Sequence, residues 1–231
     1  MHTESIKQLL QSFPIFKDLT SFEMEPIVDL AKRRIYRRGT HIFMQGDDLT
    51  NVYFIDRGVI KIYKTDVQGK EQIVNVLKKG QMFPHQGFFR QDNYPAHAEA
   101  IEDSQLIYIP IKSFEQFLIT HPEICIKLFR VLGDIIVDLQ SRLEQKIMHN
   151  THEQIVMLLI RLAKRHGKEI QQDMYKITTK FTNRELANMI GSSRETVSRT
   201  LSQLKKDALI DTDEDGHLIV FLSTLKNESL T

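Results

Sequence analysis

At 231 residues the chain is long enough for one large domain or two modest ones, each with its own core. Apolar residues make up 41% and charged residues 26%, the balance of a soluble globular protein. The single cysteine, Cys125, excludes an internal disulfide, no apolar run nears the roughly 20 residues that span a bilayer, and residues 1–10 lack a signal peptide's basic and apolar regions, so a soluble cytoplasmic protein with no membrane partner is expected.

Along the chain, residues 3–34 read as short helices broken around Pro14 and near Pro26. From Ile35 to Ile111 the pattern changes to short apolar or alternating runs: Thr40–Met44, Val52–Ile55, Val59–Tyr63, Gln72–Leu77 and Gln105–Ile109. They are separated by Gly46-Asp47-Asp48, Asp56-Arg57-Gly58, Gln68-Gly69 and Lys79-Gly80, turn residues that punctuate strands, so a β-sandwich or barrel is expected. After Pro122 comes a long helical stretch in which Leu128, Leu132, Ile135, Leu139 and Leu143 follow 4-3-4-4 spacing. That near-heptad stripe suits pairing with a second copy of the chain, although a helix packed on its own domain leaves a similar stripe. His149-Asn150-Thr151-His152 is a polar break and a candidate hinge, and a second helix is expected at about residues 152–166. The domains so divided are 1–120, 121–148 and 149–231.

The overall charge is close to neutral, but its distribution is not. From Arg161 to Lys206 there are eleven Lys/Arg against four Asp/Glu, and the acids then cluster at Asp207, Asp211, Asp213, Glu214 and Asp215. Such asymmetry suits a phosphate-facing surface, and equally a solvated helical face beside an acidic loop. Within this segment Thr182 and Glu185 have capping-box spacing, which starts a helix near Asn183. Gly191 supplies a turn, and Ser192 with Glu195 repeats the capping spacing before a second helix. Val197, Leu201 and Leu204 fall on one face and are expected to pack on Leu186, Ala187 and Ile190, making a helix-turn-helix.

That packing leaves Arg194, Glu195, Ser198, Arg199 and Ser202 together on the opposite face; Thr182, Ser193 and Lys205 complete the set of DNA-contacting candidates. An arginine fork matches guanine O6 and N7, and a glutamate accepts from cytosine N4. A negative side chain gains little near phosphates unless it reads such a donor, which makes Glu195 the informative residue, with helix capping as its plainer role. Leu209–Phe221, with Asp215-Gly216 between apolar runs, reads as a hairpin wing whose acidic tip is a poor phosphate binder.

The run Gly191–Leu204, GSSRETVSRTLSQL, resembles the recognition helix of the Crp/Fnr regulators. In the family's cAMP-receptor branch an S-R-E-T-V-x-R core reads bases through residues that match Arg194, Glu195 and Arg199 here. In its oxygen-sensing branch the readers match Glu195, Ser198 and Arg199. The resemblance extends upstream through Phe13–Thr20, Gly39–Asp47, Tyr53–Gly58 and Gly69–Ile73. It implies an α+β protein: an N-terminal cyclic-nucleotide-binding-type β-roll (jelly roll), a long dimerisation helix and a C-terminal winged helix-turn-helix. It also implies a homodimer on a palindromic double-stranded DNA site with half-sites akin to TGTGA or TTGAT, no catalysis, and RNA polymerase as a partner where the protein is an activator.

Two departures bear on the effector. The family's cyclic-nucleotide cassette carries Gly-Glu and, about ten residues on, Arg-Ser; here Pro84-His85 and Pro95-Ala96 stand in their places. Losing the arginine removes a charge-assisted clamp on the phosphate, a contribution of about 1.5–3 kcal/mol, and Pro84 lacks an amide to offer. High-affinity cAMP binding in the usual mode is therefore not expected. Candidate effector-pocket residues are Phe83, Pro84, His85, Gln86, Tyr94, Pro95, Ala96, Leu139 and Gln140, for a small molecule the sequence does not identify. One cysteine cannot hold an iron–sulfur cluster, and Cys125 reads as a small buried residue ahead of a redox sensor. His85, His97 and the pair His149/His152 lack a third or fourth ligand, so no metal, haem or other cofactor is expected. The rival readings are a constitutive regulator of the same fold without an effector, and a β-roll carrier or enzyme with an incidental helical tail. Steeply salt-dependent DNA affinity separates the regulators from the last.

Overall fold

A computed structural model describes residues 2–17, 19–89 and 93–228; Asp18, inside the opening segment matched above, lies outside them. The chain forms two compact units, residues 1–138 and 139–231.

In the first unit, α1 (His2–Gln11) and α2 (Ser21–Val28) precede eight strands, β1 (Lys32–Tyr36), β2 (His41–Phe43), β3 (Asn51–Arg57), β4 (Val59–Thr65), β5 (Glu71–Lys78), β6 (Met82–Phe83), β7 (His97–Ala100) and β8 (Ser104–Pro110). Then come α3 (Ile111–Thr120) and the start of α4 (Pro122–Met148). The strands form two antiparallel sheets, ordered β1-β8-β3-β6 and β2-β7-β4-β5. Period-2 alternation decides what each face does. Tyr53 and Ile55 of β3 share a core with Phe43, Ile60, Leu77, Phe83, Ala98, Ala100 and Leu106, drawn from both sheets, while Val52 and Phe54 turn the other way into a core shared with the helices. Phe54 is the hub of that second core, with Phe13, Phe16 and Phe114 rings at 5.4, 5.3 and 5.8 Å. Burial on both faces explains why Val52–Ile55 is continuously apolar.

The five anticipated strands are present, each shifted by a residue or two at its ends. Three others escaped the pattern. Lys32-Arg33-Arg34-Ile35-Tyr36 is an edge strand on which Lys32 and Arg34 face solvent and Arg33 is half-buried. β6 has two residues, and β7 buries only alanines. Pro26 does not break a helix as expected but lies inside α2, where the Thr20–Glu23 capping box and the burial of Met24, Ile27 and Val28 offset its one missing hydrogen bond. Gly58 is confined to glycine: its φ is +98°, and a Cβ would stand 2.6 Å from the Ser104 Cα.

The second unit contains the end of α4 and then α5 (Thr151–His166), β9 (Gly167–Gln171), β10 (Met174–Ile177), α6 (Asn183–Ile190), α7 (Arg194–Lys206), β11 (Ile210–Thr212), β12 (Leu218–Phe221) and α8 (Leu222–Glu228). Its sheet runs β11-β12-β10-β9. Ile155, Val156, Leu158, Leu159, Leu162 and Ala163 of α5 give the core its floor, against which α6 and α7 pack. No helix of the described residues is long and apolar enough to cross a membrane.

Candidate nucleic-acid interface

The helix-turn-helix is built from local signals that agree with one another. At the start of α6 the Thr182 hydroxyl donates to Glu185 Oε2 (2.8 Å) and accepts from the Glu185 amide (3.2 Å), while the Thr182 amide donates to the same carboxylate (2.7 Å). The predicted capping box is therefore formed, and Thr182, though exposed, already uses its hydroxyl. Gly191 closes α6 with φ +68°, a left-handed conformation that favours glycine, and the Ser192 amide reaches back to the Ala187 carbonyl (3.0 Å). The second cap differs from expectation. Ser193, not Ser192, caps α7, accepting from the Thr196 amide at 3.1 Å, so Glu195 sits one place short of capping-box position and takes no part in one. Residue 192 is needed for the turn out of α6, which moves the cap on by one.

Glu195 is thereby left exposed with its carboxylate unspent on the cap. A hydrogen bond at its own backbone, the Ser193 hydroxyl, and the charges of Arg194 and Arg199 hold its pKa below the ordinary glutamate value, so it is an anionic acceptor at neutral pH. Arg194, Arg199, Ser202 and Lys205 of the same helix are exposed, Ser198 is half-buried, and the Ser202 hydroxyl donates to the Ser198 carbonyl (2.9 Å). Behind this face Val197, Leu201 and Leu204 are buried on Leu186 and Ala187, with Ile190 packed alongside, as the spacing predicts. A rigidly backed helix thus presents a fork-bearing, mixed-charge face, the arrangement that reads base edges in a major groove.

The wing is the hairpin β11–β12. At its turn the Asp213 amide donates to the His217 carbonyl (3.0 Å) and the His217 amide to Asp213 Oδ1 (2.7 Å). Sequence reasoning did not find Lys176 of β10, whose ammonium pairs with Asp213 and, as the largest influence, drives that carboxyl far below its usual range. The pairing crosses between strands distant in sequence and leaves no local signal. Part of the wing's acidity is therefore already neutralised. Asp213, Asp215 and His217 bring potential ligand atoms within 4.8 Å of one another, but Lys176 already occupies Asp213. His149 does not pair with His152 toward an ion; its Nδ1 bonds Glu153 Oε2 at 2.6 Å.

The candidate effector residues lie in a different environment. Phe83, Pro84, Tyr94 and Ala96 are buried, His85 and Pro95 half-buried, and Gln86 exposed. Tyr94, 3% exposed, stacks on Phe43 with centroids 3.7 Å apart, and its hydroxyl lies 3.1 Å from both the amide and the carbonyl of Asn51. Tyr53 stacks on Phe83 at 5.3 Å, and burial pushes the Tyr53 phenol far up. Burial also pushes His85 down to about 4, so it is neutral at pH 7. His97 Nδ1 accepts from the Gln45 amide (3.1 Å), and burial and then His41 lower its pKa. Stacked aromatic rings and an uncharged imidazole do not fit a cyclic phosphate. Leu139 and Gln140 are exposed on α4.

The predicted dimer stripe needs correction at its N-terminal end. Leu128 is 7% exposed and belongs, with the half-buried Leu132, to the core of its own unit. Ile135 is half-buried, and only Leu139 and Leu143 of the five are exposed. The exposed apolar residues follow another register. Ile126, Phe129, Ile136, Leu143 and Ile147, with Gly133 and Gln140 between them, are all exposed at strict 3-4 spacing. Phe129 is 71% exposed. The heptad was present in the sequence; which of two overlapping stripes faces inward was not. Cys125 is half-buried against the same core, its thiol donating to the Leu118 carbonyl (3.4 Å).

Comparison with known proteins agrees with this arrangement. Residues 33–121 match the cyclic nucleotide-binding domain family, and residues 153–226 match the Crp-like helix-turn-helix domain family. The chain is 26% identical over 209 residues to the anaerobic regulatory protein of Bacillus subtilis (strain 168), covering 90% of this chain and 87% of that one. It is 23% identical over 201 residues to the cyclic AMP receptor protein of Thermus thermophilus, covering 87% and 89%. Among solved structures it shares the fold of FixK2 from Bradyrhizobium japonicum, with a TM-score of 0.75 at 20% identity over 85% of this chain and 96% of that one. A β-roll followed by a capped, charge-bearing helix-turn-helix, matched domain by domain, makes this chain a member of the Crp/Fnr family of DNA-binding transcription regulators.

Proposed function

We propose that the protein acts as a homodimer on a palindromic DNA site with TGTGA- or TTGAT-like half-sites, and that it does so without cyclic AMP or any other cofactor. The observation that carries this reading is the set of exposed Arg194, Glu195 and Arg199 with half-buried Ser198, on a helix buried along its other face. Two such helices enter successive major grooves about 34 Å apart when a two-fold axis relates them. The exposed heptad of α4 supports the pairing: two copies joined along Ile126, Phe129, Ile136, Leu143 and Ile147 bury residues that a monomer leaves in water. Gln140, polar at a seam position, favours a single register. The aromatic filling around Tyr94 and Phe83 supports independence from cyclic nucleotides. Where the protein activates, RNA polymerase is its further partner.

The test is fluorescence anisotropy with a palindromic duplex, a single half-site duplex and a scrambled one, across salt and with cAMP. The palindrome should bind tightest, affinity should fall steeply with salt, and cAMP should change nothing. A contact set of 6–10 phosphates corresponds to a loss of roughly 10³–10⁵-fold between 50 and 200 mM salt. A flat salt response with no preference for the palindrome contradicts the reading. In sedimentation, Phe129→Glu should give monomers, whereas Leu128→Ala should leave the dimer intact and lower unfolding stability by about 2–5 kcal/mol.

A further inference from the structure

The last turn of α4, the first turn of α5 and the end of α6 all lie in the second unit and meet through side chains that the DNA-reading face does not use. Lys146, the basic residue in the last turn of α4, donates through Nζ to the Ile190 carbonyl at 2.9 Å and to Gln154 Oε1 at 3.3 Å. Gln154 turns its amide nitrogen to the His149 carbonyl at 2.7 Å, so one side chain braces both the lysine and the elbow. The elbow is fixed in turn by Asn150 and Glu153, which cap α5 reciprocally, and by His149 on Glu153.

Ile190 is the last residue of α6, and its carbonyl is one of those a helix leaves unpaired at its C-terminus. A cation there is favoured both by the hydrogen bond and by the helix dipole. Immediately beyond lie Gly191 and the N-terminus of α7, where Arg194 and Glu195 sit. The position of the Ile190 carbonyl therefore sets where the reading residues begin. Lys146 ties that point to α4, the helix along which two copies pair in the reading above.

We infer that Lys146, braced by Gln154, is a positioning residue that fixes the recognition helix relative to the dimer helix and so sets the half-site spacing the protein accepts. This rests on the proposed palindrome-binding homodimer. The lysine works through Ile190 and not by touching DNA.

The experiment measures affinity of the full chain for the palindrome and for the same palindrome with its spacer lengthened by one base pair. Variants are Lys146→Met, Lys146→Arg, Gln154→Leu and the Met/Leu double. Lys146→Met should weaken palindrome binding about fivefold, the low end of measured couplings between sites, and should reduce discrimination between the two spacers. The slope of log affinity against log salt should stay that of the parent, and Lys146→Arg should restore most of the discrimination. Gln154→Leu should show the same loss, and the double variant should lose no more than either single, because both belong to one brace. Parent-like spacer discrimination in Lys146→Met overturns the inference. So does a salt slope lowered by about one, which marks a phosphate contact, or strictly additive losses. A parent chain that does not prefer the palindrome at all overturns the underlying function, a result distinct from any of these.

Discussion

The recognition face of α7 and the interior of the β-roll hold residues at family positions for contacting a ligand, yet they have been treated in opposite ways. On α7, charged groups stay in water and apolar residues stay behind them. In the β-roll, Pro84, His85, Pro95 and Ala96 stand at the positions that the family resemblance assigns to a phosphate clamp, and the rings of Phe43, Tyr53, Phe83 and Tyr94 share one core. The difference follows from what each environment tolerates. An exposed arginine costs little when idle, whereas an unoccupied buried arginine must be desolvated without a partner. In the function proposed above, a domain that binds no anion is better stabilised by aromatic packing and acts as a scaffold.

Two tests bear on the scaffold half of this contrast. Tyr94→Ala removes the stack on Phe43 and both hydrogen bonds to Asn51; it should cost about 3–5 kcal/mol of unfolding free energy in urea denaturation. Operator affinity, measured where the variant is still folded, should match the parent. A change in that affinity breaks the contrast, because it makes the aromatic cluster part of a switch. The second test uses pH. His85 titrates near its ordinary value when unfolded but at about 4 when folded. Between about 6.5 and 4 the unfolded chain holds more protons, so folding stability is complete above that window and falls as pH drops through it. The loss is at most about 3 kcal/mol. His85→Gln should flatten the pH dependence of unfolding over that window; an unaltered slope means His85 is solvated.

On the reading half, Arg199→Ala should leave unfolding stability unchanged and reduce operator affinity by about 1–3 kcal/mol, with relaxed preference at one guanine of the half-site. Parent-like binding by this variant removes the recognition helix from the interface. Equal weakening on every sequence, with a shallower salt slope, reassigns Arg199 to a phosphate.

The two regions also differed in how far the sequence could be read. The helix-turn-helix was legible because its determinants are local: Thr182 to Glu185, Gly191, and the stripe Val197, Leu201, Leu204 each act within a few residues. β1 and β7 were not, since Lys32–Tyr36 becomes a strand only by pairing with β8 and His97–Ala100 by lying between β2 and β4. The apolar stripes of α4 were half legible. A heptad at Ile126, Phe129, Gly133 and Ile136 and a stripe at Leu128 and Leu132 coexist on one helix, and only the core beneath Leu128 decides between them. Lys176 on Asp213 and Lys146 on Ile190 join segments far apart in the chain, and periodicity carries no trace of either.

The smallest effect separates two neighbouring serines. If Ser193 caps α7, Ser193→Ala loses the bond from the Thr196 amide and exposes an unpaired donor at the helix start, for about 1 kcal/mol of stability. Ser192→Ala removes a hydroxyl from a residue whose backbone, not side chain, bonds Ala187, and should fall within about 0.5 kcal/mol of the parent. Denaturant midpoints of the two variants measure this directly. The consequence reaches beyond stability, because a cap at 193 leaves Glu195 outside a capping box, while a cap at 192 recruits it into one. Ser193→Ala should therefore weaken operator binding through fraying at Arg194 and Glu195, and Ser192→Ala should not. The reverse order of effects places Glu195 in the cap and leaves Arg194 and Arg199 as the remaining charged readers.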